Sequence, residues 1–464
     1  MVFSFDTTYK ELDSSLYSRV TPERIAHPEV LLCNDEVCAD LGLETAELDA
    51  EMLAGQDRLE DPIAQAYAGH QYGSFTILGD GRAMILGEHI YDGERYDIQL
   101  KGAGQTPYSG RGDGRATISS MLREYLYSYA MQHLNIKTSR SLAVVETDEA
   151  VERRRTEPGA ILVRVMNSHI RYGTFQYVAS QAPDELQRFT DYVIDRHYPQ
   201  LNAADRTYLE FFDAVMQSSI EMVVDWLRVG FIHGVMNTDN MSIDGETFDY
   251  GPCAFINYYD EETVFSSIDK HGRYAFGNQR PILRWNLERF AEALQPLCTQ
   301  SPLTSAELED KLDEFAERFD AQYYAMMRKK LGIAADGEEE LVDEFVEWLR
   351  TSNADYTNTF LELETPGTCD DSVFATAEFE QLRNRLAAVG LDQELMQEAN
   401  PQYIPRNYLV EEALDEYLDT GELSKFTELL TVLENPYTSK DMGSKFQQPP
   451  PREFDAEYTT YCNT

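Results

Sequence analysis

The segment FIHGVMNTDNMSIDGETFDYG, residues 231–251, gathers side chains that can do phosphate chemistry. His233 and Asn240 stand seven apart and Asp249-Tyr250-Gly251 follows, the spacing of a kinase catalytic loop H-R-D-x-x-x-x-N and its later D-F-G. The amide oxygen of Asn240 and the carboxylate of Asp249 are hard donors, suited to Mg2+ or Mn2+ bridging phosphates. Where that loop keeps its catalytic Asp, this chain has Val235, which cannot accept a proton from a hydroxyl. Asp239 is the nearest carboxylate able to replace it as base, and is equally suited to partner a metal's outer shell or an arginine. His233 is expected to make a structural hydrogen bond.

Upstream, Gly79 and Gly81 flank Asp80 in LGDGRAMILGE, a context that suits either close approach of backbone to a nucleotide or an ordinary hairpin turn. Lys101 ends the strand-like RYDIQLKG, and Glu124 follows on an amphipathic helix. A Gly-rich turn, a strand lysine and a helix glutamate, in that order, make up a kinase nucleotide lobe, where the glutamate holds the lysine in place.

These residues need a sheet and helices to position them. FTILGDG, RAMILGEHI, RYDIQLKG, SLAVVET and GAILVRVMN read as strands. Thr117 to Leu134 places Ile118, Met121, Leu122, Tyr125, Leu126 and Tyr129 at helical spacing. After Asp184 the pattern is helical, with a long segment from Tyr208 to Val229 stopped by Gly230 and further helices near 283–298, 305–331, 338–350, 372–390 and 408–434. The expected fold is α+β, with two lobes: a mixed β/α nucleotide-binding lobe over 1–180 and a mainly helical lobe over 181–435 that carries the catalytic and metal-binding loops. A Pro-rich extended tail is expected over 436–464.

Charge narrows the function. The 464 residues hold 39 Lys and Arg against 82 Asp and Glu, a net charge of −43 that repels nucleic acid and anionic lipid, so neither is expected as a partner. With 10 Lys against 29 Arg, the acidic, lysine-poor composition points to a halophilic host, the alternative being an ordinary acidic protein of a mesophile. The opening MVFSFDTTYKELDSSLY has no basic leader and no apolar stretch reaches membrane-span length, so a cytoplasmic location is expected. Between Lys101 and Arg171 the sign reverses, with eleven basic residues against seven acids. Such a segment beside Gly-rich turns suits a polyphosphate, although the run Arg153 to Arg155 reads better as surface ion pairs. The six cysteines, at 33, 38, 253, 298, 369 and 462, form no CxxC and no zinc-ligand pattern.

YAGHQYG, LGDGRA, KGAGQTPYSGRGDGRA, REYL, VRVMNSHIRYGTFQY and HGVMNTDNMSIDGETFDYGP together resemble the selenoprotein O family of pseudokinase-like proteins, in order along nearly the whole chain. The resemblance implies a protein adenylyltransferase that binds ATP in an orientation reversed relative to kinases and moves AMP to Ser, Thr or Tyr hydroxyls. It implies ATP contacts at Gly79, Gly81, Arg82, Lys101, Asp113, Gly114, Arg164, Arg171 and Asp249, a metal on Asn240 and Asp249, and Asp239 as proton acceptor. Arg164 and Arg171 lie seven apart, so a common target requires the chain to turn between them. Many relatives carry selenocysteine near the C-terminus; the matching position here is Cys462, with Cys253 the candidate partner for a disulfide. The competing readings are a kinase that transfers the γ-phosphoryl group, disfavoured by Val235, and an inactive nucleotide-binding scaffold, disfavoured by the presence of both metal ligands.

Overall fold

The computed structural model describes residues 2–56, 61–204, 206–299, 303–439 and 444–461. Its first part holds β1 (Tyr17–Arg19), β2 (Glu29–Cys33), α1 (Asp35–Asp40), α2 (Ala50–Leu53), β3 (Ile63–Gln71), β4 (Ser74–Gly79), β5 (Ala83–Tyr91), β6 (Glu94–Lys101), α3 (Ile118–His133), β7 (Arg140–Glu152) and β8 (Thr156–Met166). The strands form one sheet in the order β1-β3-β5-β6-β8-β7-β2, with β4 attached to β3. All five expected strands are present. The reading of YAGHQYG as a motif alone missed β3, to which that segment belongs.

Turn chemistry sets the hairpins. Tyr72-Gly73 and Asp92-Gly93 have φ of 50 and 88 and of 50 and 86 degrees, the paired left-handed residues of the turn that matches strand twist. The link from Gly79 to Arg82 is no hairpin, because β4 and β5 each pair with β3 and not with each other. Alternation along the strands then separates the two faces of the sheet. Met84, Leu86, Ile98, Leu100, Val163 and Val165 pack under the N-terminal segment. The opposite face, with Ile85, Val144 and Leu162, receives α3 through Met121, Leu122 and Leu126 and merges into the helical core.

The second part begins with α4 (Tyr172–Gln181), α5 (Leu186–His197) and α6 (Thr207–Val229). Gly230, at φ 76 degrees, ends α6 and returns its N–H to Trp226 and Leu227, as a left-handed cap does. The short hairpin of β9 (Phe231–Ile232) and β10 (Ala254–Phe255) brackets the catalytic-loop segment. Then follow α7 (Gln279–Leu294), α8 (Ser305–Asp313), α9 (Phe315–Lys330), α10 (Glu339–Ser352), α11 (Tyr356–Glu364), α12 (Ala377–Val389), α13 (Gln393–Ala399), α14 (Asn407–Thr420) and α15 (Ser424–Leu433). The segment expected as one helix over 305–331 breaks at Glu314, and that over 408–434 breaks at Gly421, which has φ 76 degrees.

The tail departs from the extended form expected. It carries α16 (Ser444–Gln447) and α17 (Arg452–Glu457) and is docked: Thr460 donates its N–H to Phe265 O at 2.7 Å and its hydroxyl to Pro252 O at 2.7 Å. Arg406 ties it to the helical body. Its guanidinium is fully buried, bonds Asp355 at 2.8 Å and Asn257 at 2.6 Å, and reaches Gln447 O at 2.8 Å. Arg406→Leu leaves the buried Asp355 carboxylate unpaired and should lower unfolding free energy by about 3–5 kcal/mol. A denaturant titration checks this, and a change under about 1 kcal/mol would show that the pair contributes little.

Candidate active site

The register between β6 and β8 sets Lys101 opposite Leu162 and Gln99 opposite Arg164, so Lys101, Gln99 and Arg164 share the sheet face toward α3. Glu124, buried on α3, meets them there. Lys101 Nζ lies 2.6 Å from Glu124 Oε2, while Arg164 donates Nε to Glu124 Oε1 at 2.9 Å and NH1 to Gln99 Oε1 at 3.1 Å. Asp249 closes the cluster. Its Oδ1 accepts from Lys101 and, at 3.1 Å, from Arg164 NH2. Burial raises the Glu124 carboxyl, but Arg164 and Lys101 outweigh it and hold the group below its ordinary range. Asp249 behaves likewise and stays ionised, its side chain 36% exposed toward the cleft. Its backbone sits at φ 65 degrees, unusual for a residue with a side chain.

The turn required between Arg164 and Arg171 is present. Arg164 lies near the end of β8, and Arg171 is the N-cap of α4. Both guanidiniums come to rest over the Phe248 ring, at 5.9 and 5.0 Å from its centre. Arg171 also lies 4.1 Å over Tyr67 and 3.8 Å from Asp80, a buried carboxylate held by Gln65 N. No role was expected for Tyr67, Asp80, Gln99 or Phe248. Asp80 stands between two quoted glycines, and Tyr67 and Phe248 lie inside quoted motifs, but none of those patterns assigned them a partner.

The catalytic-loop segment forms a 3-10 turn, Thr238–Asn240, pinned by the β3–β4 hairpin. His70 N–H donates to Thr238 Oγ1 at 2.8 Å and Tyr72 N–H to Asn237 Oδ1 at 3.1 Å. Gln71 gives its amide N–H to both Asp239 oxygens, at 3.0 and 2.9 Å, and Arg171 donates to the Asp239 carbonyl at 3.2 Å. Burial pushes the Asp239 carboxyl up to about 6. Gln71 was missed, although it lies inside the quoted YAGHQYG. Asn240 donates Nδ2 to Val235 O at 2.9 Å, which turns its Oδ1 away from that contact. His233 is buried, accepts from Val235 N–H and bonds Phe248 O at 3.0 Å, the structural role expected of it.

Arg82, Lys101, Glu124 and Asp249 line one cavity of about 680 Å³, walled on its far side by tail residues Phe454 and Tyr458 to Tyr461. Asp113 does not line it directly. Arg153, which does, grips Asp113 at 2.6 Å and holds its carboxyl down to about 2. Gly114 turns at φ 71 degrees, and a side chain there would overlap the Gly104 carbonyl. Gly79 and Gly81 admit the 106–109 loop, because a Cβ on Gly79 would overlap the Tyr108 ring and one on Gly81 would press on Tyr108 O at 3.1 Å. Arg153 and Arg155 form the ion pairs expected, Arg155 with Glu157 at 2.8 Å, whereas Arg154 lies 3.4 Å over Tyr461. Cys253 is wholly buried and its thiol is pushed up to about 12 by that burial; Cys462 lies outside the described residues. Among the described residues no helix is long and apolar enough to cross a membrane, and three or more His, Cys, Asp or Glu side chains nowhere cluster as a metal site.

A strand lysine, a helix glutamate, a D-F-G-like aspartate and a loop asparagine on a sheet-plus-helix body define a two-lobed, protein-kinase-like α+β protein whose loop lacks the usual catalytic aspartate. The family profile described as "Protein adenylyltransferase SelO" matches residues 1–434, and the chain belongs to that family. It is a protein adenylyltransferase, an enzyme that transfers AMP to protein. Proteins named "Protein nucleotidyltransferase YdiU" from Alcanivorax borkumensis and Brevibacillus brevis are 44% and 45% identical, each alignment covering 100% of this chain and 99% and 98% of the relative. A solved rhoptry antigen kinase domain of Toxoplasma gondii overlaps 70% of this chain and 87% of its own at 12% identity, with a TM-score of only 0.24.

Gly69 tests the contact between hairpin and loop, because a Cβ there would overlap the Asp239 carboxylate. Gly69→Ala should leave the melting temperature within a few degrees and cut AMP transfer about 100-fold, the cost of displacing by about 1 Å the carboxylate expected to act as base. Wild-type turnover in this variant would show that the position of Asp239 is immaterial.

Proposed function

We propose that the chain moves AMP from ATP onto Ser, Thr or Tyr hydroxyls, releasing pyrophosphate, with the nucleotide held at Gly79, Gly81, Arg82, Lys101, Asp113, Gly114, Arg164, Arg171 and Asp249. The observation that carries this is the convergence of Lys101 and Arg164 on Asp249, with Arg171 over the same Phe248 ring, behind the cavity that Lys101 and Asp249 line. When the acceptor oxygen attacks the α-phosphorus, negative charge builds on the departing β- and γ-phosphates, and preorganised cations stabilise it most where water is excluded. Glu124 orients Lys101 and Arg164 for that work.

Asp239 takes the proton of the attacking hydroxyl. A buried carboxylate with a raised proton affinity is a better base than an exposed one, and Gln71 holds its oxygens in place. The donors of Asn240 and Asp249 fit a hard divalent cation, since the Asn240 amide nitrogen is already spent on Val235 O and Asp249 remains anionic. When bound, Mg2+ or Mn2+ supplies Lewis-acid stabilisation of phosphate oxygens there. The net charge of −43 supports a cytoplasm rich in salt, the setting of a halophile, and argues against nucleic-acid partners.

ATP labelled on the α- or the γ-phosphate, offered with a mixed protein acceptor and Mg2+ or Mn2+, separates the readings. Label should enter protein from the α-position alone; entry from γ alone would mean a kinase, and entry from neither a scaffold. Asp249→Ala, with an unchanged circular dichroism spectrum, should lose at least about 100-fold in transfer through loss of the anionic ligand. Appreciable residual activity would move the metal site elsewhere.

A further inference from the structure

We propose that Cys33 and Cys38 form a dithiol that a hydroperoxide oxidises to a disulfide, a modification site on the outer edge of the sheet. Cys33 ends β2 and Cys38 lies in α1, with their sulfurs 3.7 Å apart. The approach is built into the helix start. Asn34 is the N-cap and accepts from the N–H groups of Glu36 and Val37 at 3.1 Å each. Cys33 therefore stands just before the cap and Cys38 at the fourth helical position, the two places whose side chains close on each other in a hydrophobic staple. Backbone bonds fix both ends: Cys33 is in register with Ala143 of β7, and Cys38 N–H donates to Asn34 O at 2.9 Å.

Only a side-chain movement of less than about 2 Å separates the two sulfurs from a bond of ~2.05 Å. Cys33 is half-buried and open to small oxidants, whereas Cys38 is buried behind it. Contact between the sulfurs lowers the Cys38 thiol to about 7 and raises that of Cys33, which favours loss of one proton from the pair. Cys298 and Cys369 are also half-buried, but Cys369 donates its thiol to Asn358 O at 3.4 Å, and among the described residues neither sulfur lies against another.

The chemistry balances with the hydroperoxide as sole oxidant. Cys33 passes its proton across the contact to Cys38 and attacks the distal oxygen as a thiolate, the O–O bond breaks, the departing oxygen takes that proton from Cys38 and leaves as alcohol or water, and Cys33 becomes a sulfenic acid. The Cys38 thiolate then attacks the Cys33 sulfur, the S–O bond breaks, and hydroxide leaves and is protonated to water. The two thiols lose two electrons, which reduce the peroxide.

The test uses the full chain, reduced, desalted and treated with graded hydrogen peroxide, then alkylated and digested for mass spectrometry. The expected product links Cys33 to Cys38 with the loss of two hydrogens, forms before Cys298 or Cys369 loses alkylation, and disappears with dithiothreitol. In Cys38→Ala, a sulfenic acid on Cys33 should persist and be trapped by dimedone. A melting curve shows that this variant is folded, and the wild-type digest decides the matter on its own if it is not. Alkylation of Cys33 and Cys38 at the same rate as Cys298 and Cys369, or a bridge from Cys33 to any other cysteine, overturns the proposal.

Discussion

Two cations and two carboxylates, drawn from a strand, a second strand, a helix and a loop, neutralise one another between the sheet and α3. Such a cluster is expensive to desolvate and tolerable only when complete, because removing one member strands a charge in low dielectric. Its demands reach far into the fold. The β6–β8 register must put Lys101 and Arg164 on one face, α3 must present Glu124 to them, and Asp249 must adopt a left-handed backbone to enter from below. The cluster thus couples the sheet, the helix and the loop that the chemistry needs in one place.

Asp239 is organised by different means. Hydrogen bonds from the β3–β4 hairpin fix it, and that hairpin owes its shape to Tyr72-Gly73 and its close approach to the absence of a side chain at Gly69. The cation cluster and the buried carboxylate therefore hang on separate supports, joined through Arg171, which caps α4 beside the Phe248 ring and bonds the Asp239 carbonyl. Asp239 and the cation cluster are adjacent without a guanidinium contact to the Asp239 carboxylate among its hydrogen bonds, which lets burial keep its proton affinity up.

Much of this was legible in advance, for local reasons. Strands announced themselves by short apolar runs between Gly-containing turns, α3 by its apolar spacing and α6 by its terminal glycine. The loop that carries Asp239, Asn240 and Asp249 was legible as one unit because spacing within one short segment is nearly a structural coordinate. Gln71, Gln99, Asp80 and Phe248 were not, since each acts on a partner remote in sequence: Gln71 on Asp239, Gln99 on Arg164 and Phe248 on Arg171. The tail was misjudged because prolines argue against periodic structure but say nothing about docking.

By itself the sequence determined which side chains were available, the element types that carry them and the local reversal of charge between Lys101 and Arg171, all properties that neighbouring residues settle among themselves. Tertiary structure alone decided that Arg164 and Arg171 converge, that Asp113 is held by Arg153 at the cavity's margin, that the glycines at 79 and 81 admit a loop, and that two cysteines meet at a helix start. Those outcomes depend on strand register and on packing between distant segments, where free energy is shared among many weak contacts and no single stretch of chain carries it.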